Sequence, residues 1–238
     1  MKALLRPRSS IVKYLLSGLT IILSLSSLSC NPNKGNTMHK LAKMNTPVFW
    51  VEGHPGKLDR ESWTLEVTGL CDKPRTFSWQ ELMKLPKSTA DARLTSVTRW
   101  SVRGIWGGVA LSDLLREVGM RDSCKYIRFW SHGLVYDTSI PLDIALKEKT
   151  IVAWEFDGEL LTEDYGGPIR AFTPYLWGYK SAKSIVRIEL MDHYVPGFWE
   201  LRGYTDSAEI EAGPMRDIND GGKVKQIPGG EVLDFISR

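Results

Sequence analysis

Gly166-Gly167-Pro168-Ile169-Arg170, followed by Pro174-Tyr175-Leu176-Trp177-Gly178-Tyr179-Lys180-Ser181-Ala182-Lys183, decides how the rest of this 238-residue chain is read. Ile169–Thr173 reads as a strand opened by a Gly-Pro turn, and Val186–Leu190 as the strand after it. Between them stands a loop dense in aromatic and basic side chains. Taken singly, these residues have ordinary readings. Arg170 would be a surface ion pair, and Ser181 and Lys183 part of a solvated loop.

Working outward, Trp63–Thr68 alternates apolar and polar residues and predicts a half-buried strand ending at Gly69. Ser78-Trp79-Gln80-Glu81 is a capping-box pattern, and the helix it opens must stop before Pro86. Ala92–Trp100 is rich in β-branched and aromatic residues and predicts a strand. Ser112 is the predicted cap of a helix through Val118, closed by Gly119. Tyr126–Trp130 and Ile151–Phe156 predict further strands, and Asp157-Gly158 a hairpin turn. After Glu211 the pattern dissolves into Gly, Pro and charge, which predicts a loosely docked tail over residues 207–238. Strands dominate and helices are short and scattered, so the fold class is α+β with mixed β-sheets rather than a doubly wound sheet. No dinucleotide fingerprint, P-loop, haem-attachment motif, CxxC zinc spacing or nucleophile elbow is present.

The N-terminus stands apart. Lys2, Arg6, Arg8 and Lys13 precede the uncharged, apolar and Ser-rich run Tyr14–Leu28, the pattern of a signal peptide over residues 1–29. Ser27-Leu28-Ser29-Cys30 resembles a bacterial lipobox, with Ser27 where Leu is preferred. Cys30 is therefore the expected lipidation site, followed by a polar linker through residue 46. This predicts an exported bacterial lipoprotein on a periplasm-facing or cell-surface membrane. Removing four positive charges and no negative one takes the net charge from +3 to −1. The basicity belongs to the leader, and nucleic acid is not an expected partner. Cys71 and Cys124 remain, and sequence leaves open whether they pair.

Four segments in order carry a family resemblance. The first is Phe49-Trp50-Val51-Glu52-Gly53-His54-Pro55 with Leu58–Leu70. The second is Ser96-Val97-Thr98-Arg99-Trp100-Ser101 with Trp106-Gly107-Gly108-Val109. The third is Tyr136–Leu142. The fourth is the opening stretch, continued by Gly197-Phe198-Trp199-Glu200 and Arg202-Gly203-Tyr204. Together they resemble the oxidoreductase molybdopterin-binding domain of the sulfite oxidase family over residues 47–206. The resemblance implies the sulfite-oxidase-type fold and Mo-molybdopterin, with the metal held by a pterin dithiolene and one protein ligand. It implies cofactor contacts at His54, Thr138, Tyr165, Arg170, Lys180, Ser181, Ala182 and Lys183, with Arg170 and Lys183 clasping the pterin phosphate beside Trp177, Tyr179 and Ser181. Without a haem motif, an active protein would need a separate electron-transfer partner.

The sequence also departs from the family. Ser96 stands where the family has its metal-binding Cys, which makes Ser96 the expected metal ligand and catalytic position. A hydroxyl is a harder, weaker donor than a thiolate. Tyr165 replaces a frequent His or Asn. Glu52-Gly53-His54 replaces Arg-Asn-His, and Glu52 near an anion is unfavourable without a paired cation. Arg6-Pro7-Arg8 is not a twin arginine. Two classes follow: a membrane-tethered molybdenum oxidoreductase, or a cofactor-free descendant acting as a binding or structural lipoprotein.

Overall fold

The structure, a computed structural model, describes residues 44–230. The predicted signal peptide and Cys30 lie outside the described residues. Among the described residues, no helix is long and apolar enough to cross a membrane.

Twelve strands form two mixed sheets. The first contains β1 (Thr64–Gly69), β2 (Arg75–Ser78), β5 (Tyr126–Ser131), β6 (Asp137–Pro141) and β10 (Ile185–Met191), in the order β2-β1-β10-β5-β6. The second contains β3 (Lys87–Ser96), β4 (Trp100–Ala110), β7 (Ile151–Phe156), β8 (Glu159–Leu160), β9 (Arg170–Phe172), β11 (Gly213–Asp217) and β12 (Lys223–Ile227). Among the described residues, only β1–β10 and β4–β11 pair in parallel. Short helices cover Trp79–Leu82, Leu111–Glu117 and Leu142–Ala145. The observed class is the expected α+β fold of mixed sheets.

The apolar run of β7 is explained by burial on both faces. Its period of two sends Val152 and Trp154 into the larger core, which packs against the first sheet. Ile151 and Ala153 enter a second core with Leu94, Trp106 and Phe172, and a register shift opposite Gly107 and Gly108 sends Phe156 there as well. Trp106 stacks on Phe172 at 4.3 Å and meets Phe156 edge-on at 4.9 Å. The Gly107-Gly108 pair lets β4 close on β7, since a Cβ on Gly108 would lie 2.0 Å from the Val152 carbonyl oxygen.

The Ser78 capping box forms as expected. Three other expectations are corrected. The predicted strand Ala92–Trp100 is two strands joined by a turn. Arg99 takes φ 64°, its N–H donates to the Ser96 carbonyl, and its guanidinium bonds the Glu211 carboxylate across to the C-terminal segment. Ser112 does not cap its helix; Ala110 holds that place. The Leu111 N–H donates to the Thr150 carbonyl, so the backbone supplies what a side-chain cap would. Within the described residues, the segment after Glu211 is not loosely docked. Its strands β11 and β12 extend the second sheet, with Arg216 and Asp217 opposite Trp100 and Ser101 of β4.

What anchors that segment is a buried ion pair. Asp217 accepts two bonds of 3.1 Å from Arg93 on β3 and one of 3.0 Å from Lys225 on β12. Burial raises the Asp217 pKa, but these bonds outweigh it and hold the carboxyl below its usual range. Asp217→Ala would leave Arg93 charged in the core, at a cost of about 3–5 kcal/mol. Urea unfolding should show that loss, where a loosely docked tail would show roughly 0.5 kcal/mol or less. The contribution is full above the unfolded carboxylate pKa of about 3.9 and is lost as pH falls through the lower folded value.

Candidate functional site

A cavity of about 460 Å³ opens where four parts of the chain converge: segment 46–52, the β3–β4 turn, Tyr165 to Arg170, and the loop 178–183. Tyr136, Trp199 and Tyr204 complete its aromatic lining. The volume suits a small organic ligand.

Arg170 opens β9, opposite Ala153 of β7, and its side chain is only 2% exposed. Its guanidinium donates to the carbonyls of Tyr165 and Ser181, each at 2.8 Å, and lies 5.4 Å from the Trp106 ring. Lys183 donates to the carbonyls of Asp164 at 3.0 Å and Phe49 at 3.3 Å, with its ammonium 4.7 Å from the Trp50 ring. Both cations are thus held by neutral carbonyls. Burial lowers the Arg170 pKa to about 10. Burial, then repulsion from Arg170, lowers that of Lys183 to about 7, with Asp164 partly opposing. Two cations held by carbonyls at the wall of an aromatic cavity favour an anion, which would supply charge-assisted bonds.

Glu52 also lines the cavity but does not cancel this charge. It accepts the Val135 and Tyr136 N–H groups and lies 3.1 Å from His132 Nδ1. The side chain that this acid meets is an imidazole that sequence reading did not identify. The signal lay outside the family segments, in the hairpin before Tyr136.

Of the residues singled out from sequence, Ser96, Tyr165, Arg170, Ser181, Ala182 and Lys183 come together around the cavity, with Tyr179. His54, Thr138, Lys180 and Trp177 are not in its lining. His54 pairs with Asp164 at 3.1 Å and meets Trp50 edge-on. Trp177 is buried under the Arg99 guanidinium. Lys180 makes a fully buried ion pair with Glu200 and donates to the Ser139 carbonyl, and Thr138 donates to the same Glu200 at 2.7 Å. That triad ties β6 to the loops bearing Tyr179 and Trp199, so it supports the wall from behind. Cys71 and Cys124 are free thiols in the larger core, and burial raises both pKa values.

Ser96 ends β3 at the cavity edge. Its Oγ is 2.8 Å from Thr98 Oγ1 and accepts the Thr98 N–H at 3.2 Å. No group of three His, Cys, Asp or Glu able to hold a metal occurs among the described residues. A metal here would be held chiefly by its own organic ligand, with Ser96 offering one oxygen.

A two-sheet α+β fold with an aromatic cavity carrying a buried Arg and a low-pKa Lys has the chemistry to receive an anionic, ring-bearing ligand. Residues 52–199 match the family described as the oxidoreductase molybdopterin binding domain, and the chain belongs to that family. It is 32% identical over 66% of its length to the uncharacterized oxidoreductase YuiH of Bacillus subtilis, covering 80% of that protein. It is 31% identical over 62% of its length to the protein-methionine-sulfoxide reductase catalytic subunit MsrP of Ralstonia nicotianae, covering 49% of it. It is 34% identical over 66% of its length to the putative protein-methionine-sulfoxide reductase subunit YedZ1 of Azospira oryzae, covering 60% of that protein. The sulfane dehydrogenase SoxCD of Paracoccus pantotrophus shares the fold, with TM-score 0.57 and 20% identity over 73% of this chain and 46% of that one.

Lys183 makes binding pH-dependent, with a sign fixed by its lowered pKa. An anion binds the protonated amine, so its affinity is full below pH about 7 and declines as pH rises above it. Titration with inorganic pyrophosphate at several pH values should show that decline in the wild type. The decline should be absent in Lys183→Ala.

Proposed function

We propose that this chain is the catalytic domain of a molybdenum oxidoreductase that holds Mo-molybdopterin in the 460 Å³ cavity, with Ser96 at the metal. The observation that carries it is Arg170, a buried guanidinium bonded to carbonyls at the wall of an aromatic cavity. The site fits the pterin: rings line it, and two cations await its phosphate. When bound, the group supplies two-electron oxygen-atom transfer.

The chain's own residues bind and orient. Arg170 offers a planar fork suited to a phosphate, and Lys183 a point charge. Trp50 and Trp199 give the cavity apolar walls. Burial, then Asp164, raises the Tyr165 pKa, so its phenol stays protonated and available to donate a hydrogen bond. The names of MsrP and YedZ1 favour reduction of a sulfoxide over oxidation of sulfite. Ser96 departs from the family's Cys under either activity, and an oxygen ligand would alter the donation to the metal in both. Export, an acylated Cys30 and a separate electron donor complete the reading. Mass spectrometry of the N-terminal peptide tests the anchor, and an unmodified Cys30 would sink it.

A second reading has its own observation. The Ser96 hydroxyl is satisfied within its turn by Thr98, as it would be in a cofactor-free descendant.

Reconstitution with excess Mo-molybdopterin separates the two. The wild type should bind it, and Arg170→Ala should weaken binding roughly tenfold or more through loss of charge-assisted bonds worth about 1.5–3 kcal/mol. Ser96→Cys exchanges oxygen for sulfur in nearly the same volume, so its thermal stability should match the wild type and its sulfite oxidation should rise. Equal, negligible pterin binding by all three proteins would favour the cofactor-free reading.

A further inference from the structure

Ten large apolar side chains are exposed among the described residues, and five of them, Val48, Phe49, Leu134, Val135 and Leu201, stand in the segments that bring Phe49, Glu52, Tyr136 and Trp199 to the cavity lining, and so make up its rim. Phe49 is 63% exposed and Leu201 70%. Their neighbours establish the continuity. The Phe49 ring lies 5.9 Å from Trp199, Trp199 is 5.3 Å from Phe198, and Phe198 is 6.0 Å from Tyr136. Leu134 and Val135 form the hairpin tip before Tyr136, fastened to segment 49–52 through the Val135 N–H and Glu52. Arg202 stands beside Leu201, its guanidinium 3.5 Å from the Phe198 ring. Exposed aliphatic side chains grouped with Phe49 and flanked by one arginine suit a surface that enters the headgroup layer.

The place of this rim in the chain indicates what covers it. Residues 31–47 alone separate the rim's Val48 from Cys30, the residue expected to carry acyl chains. A short tether raises the local concentration of bilayer at the nearest apolar surface, so even a weak contact becomes populated. We infer that the rim docks on a lipid bilayer, with the cavity mouth turned toward the membrane interface. This rests on the tethered reading proposed above. It goes further in giving the domain an orientation, and it restricts the cavity's reactants to species that reach the interfacial layer.

The full-length chain in vesicles of phosphatidylethanolamine and phosphatidylglycerol, with and without brominated acyl chains, tests it. Bromine quenches indole emission at contact range, and Trp199 and Trp50 stand beside the rim. The wild type should sediment with both vesicles and lose emission in the brominated ones. Phe49→Glu with Leu201→Glu should still sediment through the N-terminus but keep its emission, with an unchanged circular dichroism spectrum. Leu134→Ser with Val135→Ser should act in the same direction. Sedimentation without quenching overturns the docked rim and leaves the tether standing. Quenching in a chain whose Cys30 is unmodified supports the rim and removes the tether. A wild type that stays in the supernatant overturns both. Equal quenching in the wild type and both rim variants places the contact elsewhere and overturns the proposal. So would an unquenched dimer that the rim variants dissociate, which assigns the face to a second copy.

Discussion

Arg170 is buried with its charge, and its hydrogen bonds run to the main-chain carbonyls of Tyr165 and Ser181 and, more weakly, Ala171. Desolvation of a guanidinium costs several kcal/mol unless it is compensated, and dipoles compensate less than an ion. That cost is tolerable because the two flanking segments are themselves fixed. Thr173 and Ser181 bond each other, the Ala171 N–H donates to the Ala182 carbonyl, and β9 is locked to β7. The second sheet thus fixes a cation at the wall of the cavity.

The rest of the wall follows from the same requirement. Lys183 repeats the arrangement with carbonyl partners, and its pKa of about 7 records the repulsion between the two charges as well as burial. Glu52 is turned to the backbone of the hairpin tip, whose Val135 and Tyr136 N–H groups it accepts. The buried Lys180–Glu200 pair takes no part in the lining, yet it braces the loop carrying Tyr179 and Ser181 against the one carrying Trp199. Charge in this domain is used locally: one pair supports the wall while the opposite side of the wall is left positive.

Much of the fold was legible because periodicity and turn chemistry agreed. The alternation from Trp63, the Ser78 capping box and the doubly buried run of β7 each had a single physical reading. The turn after Ser96 did not, because Val97 and Thr98 favour strand while the reversal depends on Arg99 in a left-handed conformation. Nor did the C-terminal strands, whose few apolar residues hide that they are secured by Asp217 and Arg93, far apart in sequence. In the site, the basic loop was visible as a segment, but which of its side chains face inward was not. Lys180 and Lys183 look equivalent in sequence; only packing sends one behind the wall and the other to the cavity.

The content of the cavity is the direct test of this account. Protein purified from its native membrane, assayed for molybdenum by mass spectrometry and for pterin by fluorescence after oxidation, should contain both in equal amounts, near one per chain. Protein that is folded and pure but carries neither metal nor pterin would contradict the claim that the Arg170 cavity is a molybdopterin site.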